Sequence, residues 1–165
     1  MSFHDLLIVL KEGPISQWMG GSSWIYTVML MFHFTGMSLL FGVMLMVDLR
    51  LLGVTKQIPL KAALSFLPVA IVGFFINLIT GFCFFAFQPT LMWSNPAFKV
   101  KMALVLIAGL NALWFTLAEN KKIAAMPPYG DTDALVKFSA GLSLAAWTLV
   151  IICGRMIVGL VGFKI

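Results

Sequence analysis

Ionisable side chains are scarce in this sequence. Of 165 residues, six are Asp or Glu and eleven are Lys or Arg, so charged side chains amount to 10%. A soluble domain carries about 25%, and that deficit takes the chain out of the soluble class. Cysteine is nearly missing as well. Cys83 and Cys153 form no CxxC and no metal-ligand spacing, which removes a disulfide framework or a zinc ribbon. Both fall inside apolar runs, where a thiol serves as a small packing residue. Histidine occurs only at His4 and His33. No phosphate loop, nucleophile–base pair, internal repeat or low-complexity segment is present, so nothing points to hydrolase or transferase chemistry.

What is abundant is apolar surface. Hydrophobic residues make up 61% of the chain, with a mean hydropathy of +1.03. Four runs, at 22–47, 62–87, 97–118 and 139–161, reach the roughly 20 residues needed to cross a bilayer. Pro68 is predicted to kink or tilt the second run near one end, where neighbouring helices re-satisfy the freed carbonyl. The connectors are short, so consecutive helices are expected to be antiparallel neighbours. The expected fold is an all-α integral membrane protein, one domain over 1–165 built as a four-transmembrane-helix bundle. The segment 1–21 has no basic leader and carries Asp5, Lys11 and Glu12 around a short apolar core, unlike a signal peptide. Phe3, Leu6, Leu7 and Leu10 at helical spacing predict a short interfacial amphipathic helix, ended by Gly13-Pro14.

The net charge of +5 does not indicate a nucleic-acid partner, because the basic residues sit at helix ends as membrane anchors. The 1–2 and 3–4 connectors hold Arg50, Lys56, Lys61, Lys121, Lys122 and Lys137, against Lys11, Lys99, Lys101 and Lys164 on the other side. That bias places both termini outside the cytoplasm, and a bacterial inner membrane is the expected location. Trp18, Trp24, Trp93 and Tyr26 form an aromatic belt on the terminal side. Pro127, Pro128 and Gly130 mark a turn, with Thr132 or Asp133 as the cap of the fourth helix. Asp48 is expected to pair with Arg50, Lys121 or Lys122 as a loop-fixing ion pair.

Polar groups inside a membrane are costly and face the bundle interior. At 1.5 Å per residue, His33 lies roughly 16 Å deep, with Asn77 and Asn111 near the same level. Gly73, Asn77 and Gly81 repeat every four residues, and Ser38 with Gly42 forms a small-residue pair opposite His33. Two packing faces on the first helix suggest a homo-oligomer or a subunit of a larger membrane complex. Ser143, Trp147 and Gly154 line one side of the fourth helix. Nearer the termini, Arg155 at about 9 Å and Lys101 at about 7 Å form a second layer. With no acidic residue at its depth, buried Arg155 needs carbonyls, lipid phosphate or another anion.

Three readings of His33 follow. In one it is a structural pin, hydrogen-bonded to Asn77 or Asn111 in a non-catalytic scaffold. In the second it ligates the iron of haem b in a small electron-transfer protein, with Asn77, Asn111 and Trp147 around the group and Arg155 and Lys101 on the propionates. A second axial ligand would be His4, a methionine or a partner protomer. In the third it joins Met29 and Met37, at i−4 and i+4, with Met44 beyond, to hold Cu(I). Quinone contact, a channel or a transporter is a further class, weakened by the lack of Asp or Glu within the four runs.

Trp24-Ile25-Tyr26, His33-Phe34-Thr35-Gly36, Gly42 and Asp48-Leu49-Arg50-Leu51-Leu52-Gly53 form a spaced pattern that continues through Asn95-Pro96, Phe98, Lys101 and Asn111 into Ser143, Trp147, Gly154 and Arg155. On these residues the chain resembles, over most of its length, a family of uncharacterised bacterial multi-pass membrane proteins, a domain of unknown function. The resemblance implies the architecture and supplies no activity. The fourth run is also faintly similar to the membrane domain of copper-resistance D proteins and b-type membrane cytochromes. Those proteins carry histidines on several helices, whereas this chain has one in its apolar runs, so haem or copper is implied by fold analogy alone.

Overall fold

The computed structural model describes residues 3–119, 123 and 125–161; Lys121, Lys122 and Lys164, counted above for orientation, lie outside them. In chain order the helices are α1 (Phe3–Glu12), α2 (Pro14–Gly20), α3 (Ser23–Leu51), α4 (Leu60–Leu64), α5 (Leu67–Phe87), α6 (Pro89–Ser94), α7 (Pro96–Trp114) and α8 (Ala134–Val161), with a π-helical turn, Phe115–Glu119, extending α7. Among the described residues there is no strand. Four stretches are long and apolar enough to cross a membrane: Ser23–Leu51, Leu60–Phe87, Pro96–Glu119 and Ala134–Ile157. The protein is an all-α four-span membrane protein, and its outer faces carry exposed Met31, Phe75, Ile79, Leu106 and Leu110.

Local chemistry sets the helix ends. The Ser22 hydroxyl accepts from the Trp24 N–H and caps α3. Asn95 accepts from the Ala97 N–H ahead of Pro96, a residue pre-shaped for the first helical position. Asp133 accepts from the Val136 N–H and caps α8, while Thr132 instead donates to the Leu51 carbonyl. Gly53, at φ +84°, turns the chain out of α3 in a conformation that favours glycine. Pro68 breaks the second span as expected: α4 stops at Leu64 and α5 restarts at Leu67 with the proline in its first turn. Gly13-Pro14 ends α1, but the proline also starts a second short helix, α2.

α5 packs on α3, α3 on α8 and α8 on α7. The α3–α5 seam is closed by glycines, since a Cβ on Gly73 would sit 2.6 Å from the Gly36 carbonyl oxygen. The expected small-residue pair is elsewhere. Ser38 and Gly42 are exposed, and a Cβ on Gly42 would meet nothing within 4 Å. Leu40, Ala70, Ala108, Ala146, Trp147 and Val150 form the mid-bundle core. A second core, including Val47, Leu51, Leu60, Val136 and Ala140, lies toward the connectors. On the terminal side Phe85 of α5 stacks on Phe98 of α7 at 5.3 Å, Phe3 of α1 packs on Trp93 of α6 at 4.8 Å, and α2 lies on α5.

The connectors are fixed differently from the expected Asp48 ion pair. Arg50 is fully buried and donates to the carbonyls of Ile58, Pro128 and Gly130, joining both connectors. The Pro128 carbonyl also accepts from the Leu60 N–H, and a guanidinium fork meets several such carbonyls at once. Asp48 instead lies against Ser143 of α8. The connector ion pairs are made by Asp131, 2.9 Å from Lys56 and 3.0 Å from Lys137. The two lysines hold the exposed Asp131 carboxyl down to about 2.

Candidate functional site around His33

α3 carries His33 ten residues from its start, roughly 15 Å along the helix axis, and turns it toward α5. There its Nδ1 lies 2.7 Å from the Thr80 hydroxyl oxygen. That hydroxyl already donates to the Ile76 carbonyl at 2.7 Å, so its oxygen accepts and Nδ1 carries the proton. In a neutral imidazole this leaves the Nε2 lone pair open. Nε2 makes no hydrogen bond with any described residue. Phe84 meets the ring edge-on at 5.5 Å, and Tyr26 stands against Phe84 at 5.4 Å. Lys101 of α7 brings its ammonium within Coulombic range of the imidazole. Its Nζ lies 3.8 Å from where a Gly154 Cβ would be, beside Cys153.

The other expected residues do not join His33. Asn77 donates back to the Gly73 carbonyl at 3.1 Å, and its Oδ1 is buried without a partner. Asn111 is engaged with Ser139 of α8, donating to its carbonyl at 3.1 Å and accepting from its hydroxyl at 2.9 Å. The expected His33–Asn77–Asn111 layer is therefore not one hydrogen-bonded network. Counted from the first residue of each helix, Asn111 lies roughly 22 Å along α7 and His33 roughly 15 Å along α3. Trp147 is buried, edge-on to Phe74 at 6.5 Å, and works as a core residue. Arg155 is exposed on the outer face of α8, which corrects the expectation that it is buried. Met29 and Met37 are half-buried and Met44 packs into the mid-bundle core.

Three partners escaped the sequence. Thr80 follows Asn77 by three residues, so the two share a helix face, and the spacing alone does not say which meets His33. Asp48 and Glu119 lie in the last turns of the helices that carry the first and third spans, and both are 2% exposed. The Asp48 Oδ2 is buried without a hydrogen-bond partner.

Thr80, Gly81 and Phe84 lie against the Nδ1 side and face of the imidazole, and Arg155 is exposed. Among the described residues no group of three His, Cys, Asp or Glu side chains is arranged to hold a metal. Comparison with known protein families, with curated proteins and with solved structures gives no match. The resemblance to the uncharacterised membrane family therefore rests on the residues quoted for it.

Proposed function

We propose that the protein is a non-catalytic membrane scaffold, a four-span subunit that assembles with copies of itself or with a larger membrane complex. One observation carries this reading: its interior polar side chains are used in clasps between helices. His33–Thr80 joins α3 to α5 and Asn111–Ser139 joins α7 to α8, while Asp48 of α3 lies against Ser143 of α8. Assembly is supported by the outer face of α3. There Thr35 and Ser38 turn their hydroxyls back onto the Met31 and Phe34 carbonyls, at 2.9 Å each, and Gly42 is open. A smooth face of this kind suits close helix–helix approach in lipid.

A second reading, haem b held between two copies of the chain, is favoured by the open Nε2 of His33. The group would supply one-electron chemistry, with His33 as iron ligand and Lys101 as a cation for a propionate. An absorption spectrum of the purified protein, oxidised and dithionite-reduced, separates the two. The scaffold reading expects no Soret band after expression with haem supplied, and a Ser38→Cys variant that cross-links in membranes where Leu106→Cys does not. A Soret band abolished by His33→Ala would overturn it in favour of haem.

A further inference from the structure

A cleft opens where α5 leaves the membrane on the terminal side. It measures about 330 Å³ and is lined by Lys11, Ser16, Phe87, Gln88, Thr90 and Leu91. Its walls come from three elements: the end of α1, the first turn of α2, and the α5–α6 junction at Gln88. The polar lining is made of groups able to donate, a lysine ammonium, two hydroxyls and a primary amide, and no carboxylate is among them. The side chains of Lys11, Gln88 and Thr90 make no hydrogen bond or ion pair with any described residue. Ser16 is held only by a long contact of 3.5 Å to the Phe87 carbonyl. A lysine cation and three further donor groups around one concavity, with no carboxylate among them, leave a place for an anion.

The level of the cleft identifies the anion. Gln88 marks the exit of the second span, and Trp18, Trp24 and Trp93 stand exposed around that exit, as aromatic residues do at the headgroup level. α1 presents Phe3, Leu6, Ile8 and Val9 outward, an apolar surface suited to lying on acyl chains. Phe87 and Leu91 give the cleft an apolar wall on the bilayer side. We propose that this cleft binds the phosphate of an anionic membrane phospholipid, with Lys11 as the cation and Ser16, Gln88 and Thr90 as hydrogen-bond donors. The three short helices are then a headgroup clamp on the terminal side.

Native mass spectrometry of the detergent-solubilised protein, titrated with phosphatidylglycerol or with inorganic phosphate, tests this. The wild type is expected to retain one phosphatidylglycerol. Lys11→Glu should weaken retention about tenfold or more, as removal and reversal of one basic charge at a membrane surface implies. Thr90→Val should weaken it less, and Lys61→Glu, on the opposite side, should leave it unchanged. Circular dichroism checks that each variant keeps its helicity; Lys11→Gln, with the same helix preference, replaces Lys11→Glu if that one misfolds. Equal retention by wild type and both cleft variants would overturn the proposal. An inorganic phosphate adduct that excludes the lipid would overturn the lipid source.

Discussion

Replacing Gly73 with alanine would put a methyl group 2.6 Å from the Gly36 carbonyl oxygen and 2.7 Å from the Leu40 nitrogen. Both are backbone atoms and cannot rotate aside, so α3 and α5 must separate by roughly 0.8 Å before the contact becomes ordinary. Overpacking of this kind costs about 1–3 kcal/mol. The same displacement pulls on the His33–Thr80 bond, now 2.7 Å, and stretches it to the edge of hydrogen bonding. Interhelical bonds in membranes contribute about 0.6 kcal/mol on average, so the expected loss is roughly 1.5–3.5 kcal/mol in all. Gly42→Ala is the matched control, because nothing lies within 4 Å of its Cβ. It should be neutral, or stabilise by up to about 1 kcal/mol through helix propensity. Unfolding in mixed micelles as SDS rises measures both variants, and the ¹⁵N shift of the His33 ring reports whether Nδ1 still donates. If Gly73→Ala and Gly42→Ala unfold at the same SDS fraction, the glycine seam does not hold the helices together and the reasoning fails.

Arg50→Met leaves the Ile58 and Gly130 carbonyls without their donor, while the Pro128 carbonyl keeps the Leu60 N–H, and should cost about 3 kcal/mol; a loss under half a kcal/mol would show that water replaces the guanidinium. Asn111→Leu and Ser139→Ala should be coupled by roughly 0.6–1.7 kcal/mol in a double-mutant cycle, and strict additivity would deny their interhelical bond. Asp131 titrates below its ordinary value of 3.8, at about 2, so its clasp contributes fully above the ordinary value and is lost as pH falls through 2. Hydrogen exchange in the connectors should rise across that window, and more at high salt because the pair is exposed. A carboxyl resonance titrating at the ordinary value would refute the clasp.

The architecture was legible because hydropathy reports burial in lipid and nothing finer. The apolar run predicted to end at residue 47 belongs to a helix that continues to Leu51, since Asp48 and Arg50 find protein partners where the hydropathy signal expects water. Rotation about a helix axis was harder to read. Asn77 and Thr80 sit about 60° apart on one face, and the stronger polar group was not the one that met His33. The Asn77 amide satisfied itself on its own helix at the Gly73 carbonyl, leaving the hydroxyl to reach across. Arg155 failed for the same reason: depth along a helix is readable from residue number, but the side it faces depends on which neighbour packs there. Gly36 and Gly73 were visible as small residues, yet only their partnering across the seam separates them from the open Gly42.

His33 and Asp48 are fifteen positions apart on α3, roughly 22 Å along the axis, and Leu40, Met44, Ala108, Trp147 and Val150 fill the level between them. A transport reading requires that apolar layer to open, breaking core contacts from all four spans at once. A scaffold requires it to stay shut, and the positions of the clasps match that need. The His33 clasp ties the first pair of antiparallel spans, the Asn111 clasp ties the second pair, and Asp48 beside Ser143 sits where the pairs meet. Removing both hydroxyl partners, Thr80→Val with Ser143→Ala, therefore frees α3 from α5 and α8 together. On the scaffold reading the double variant loses its assembly in the membrane before it loses helicity, because helix formation in lipid does not depend on helix–helix contact.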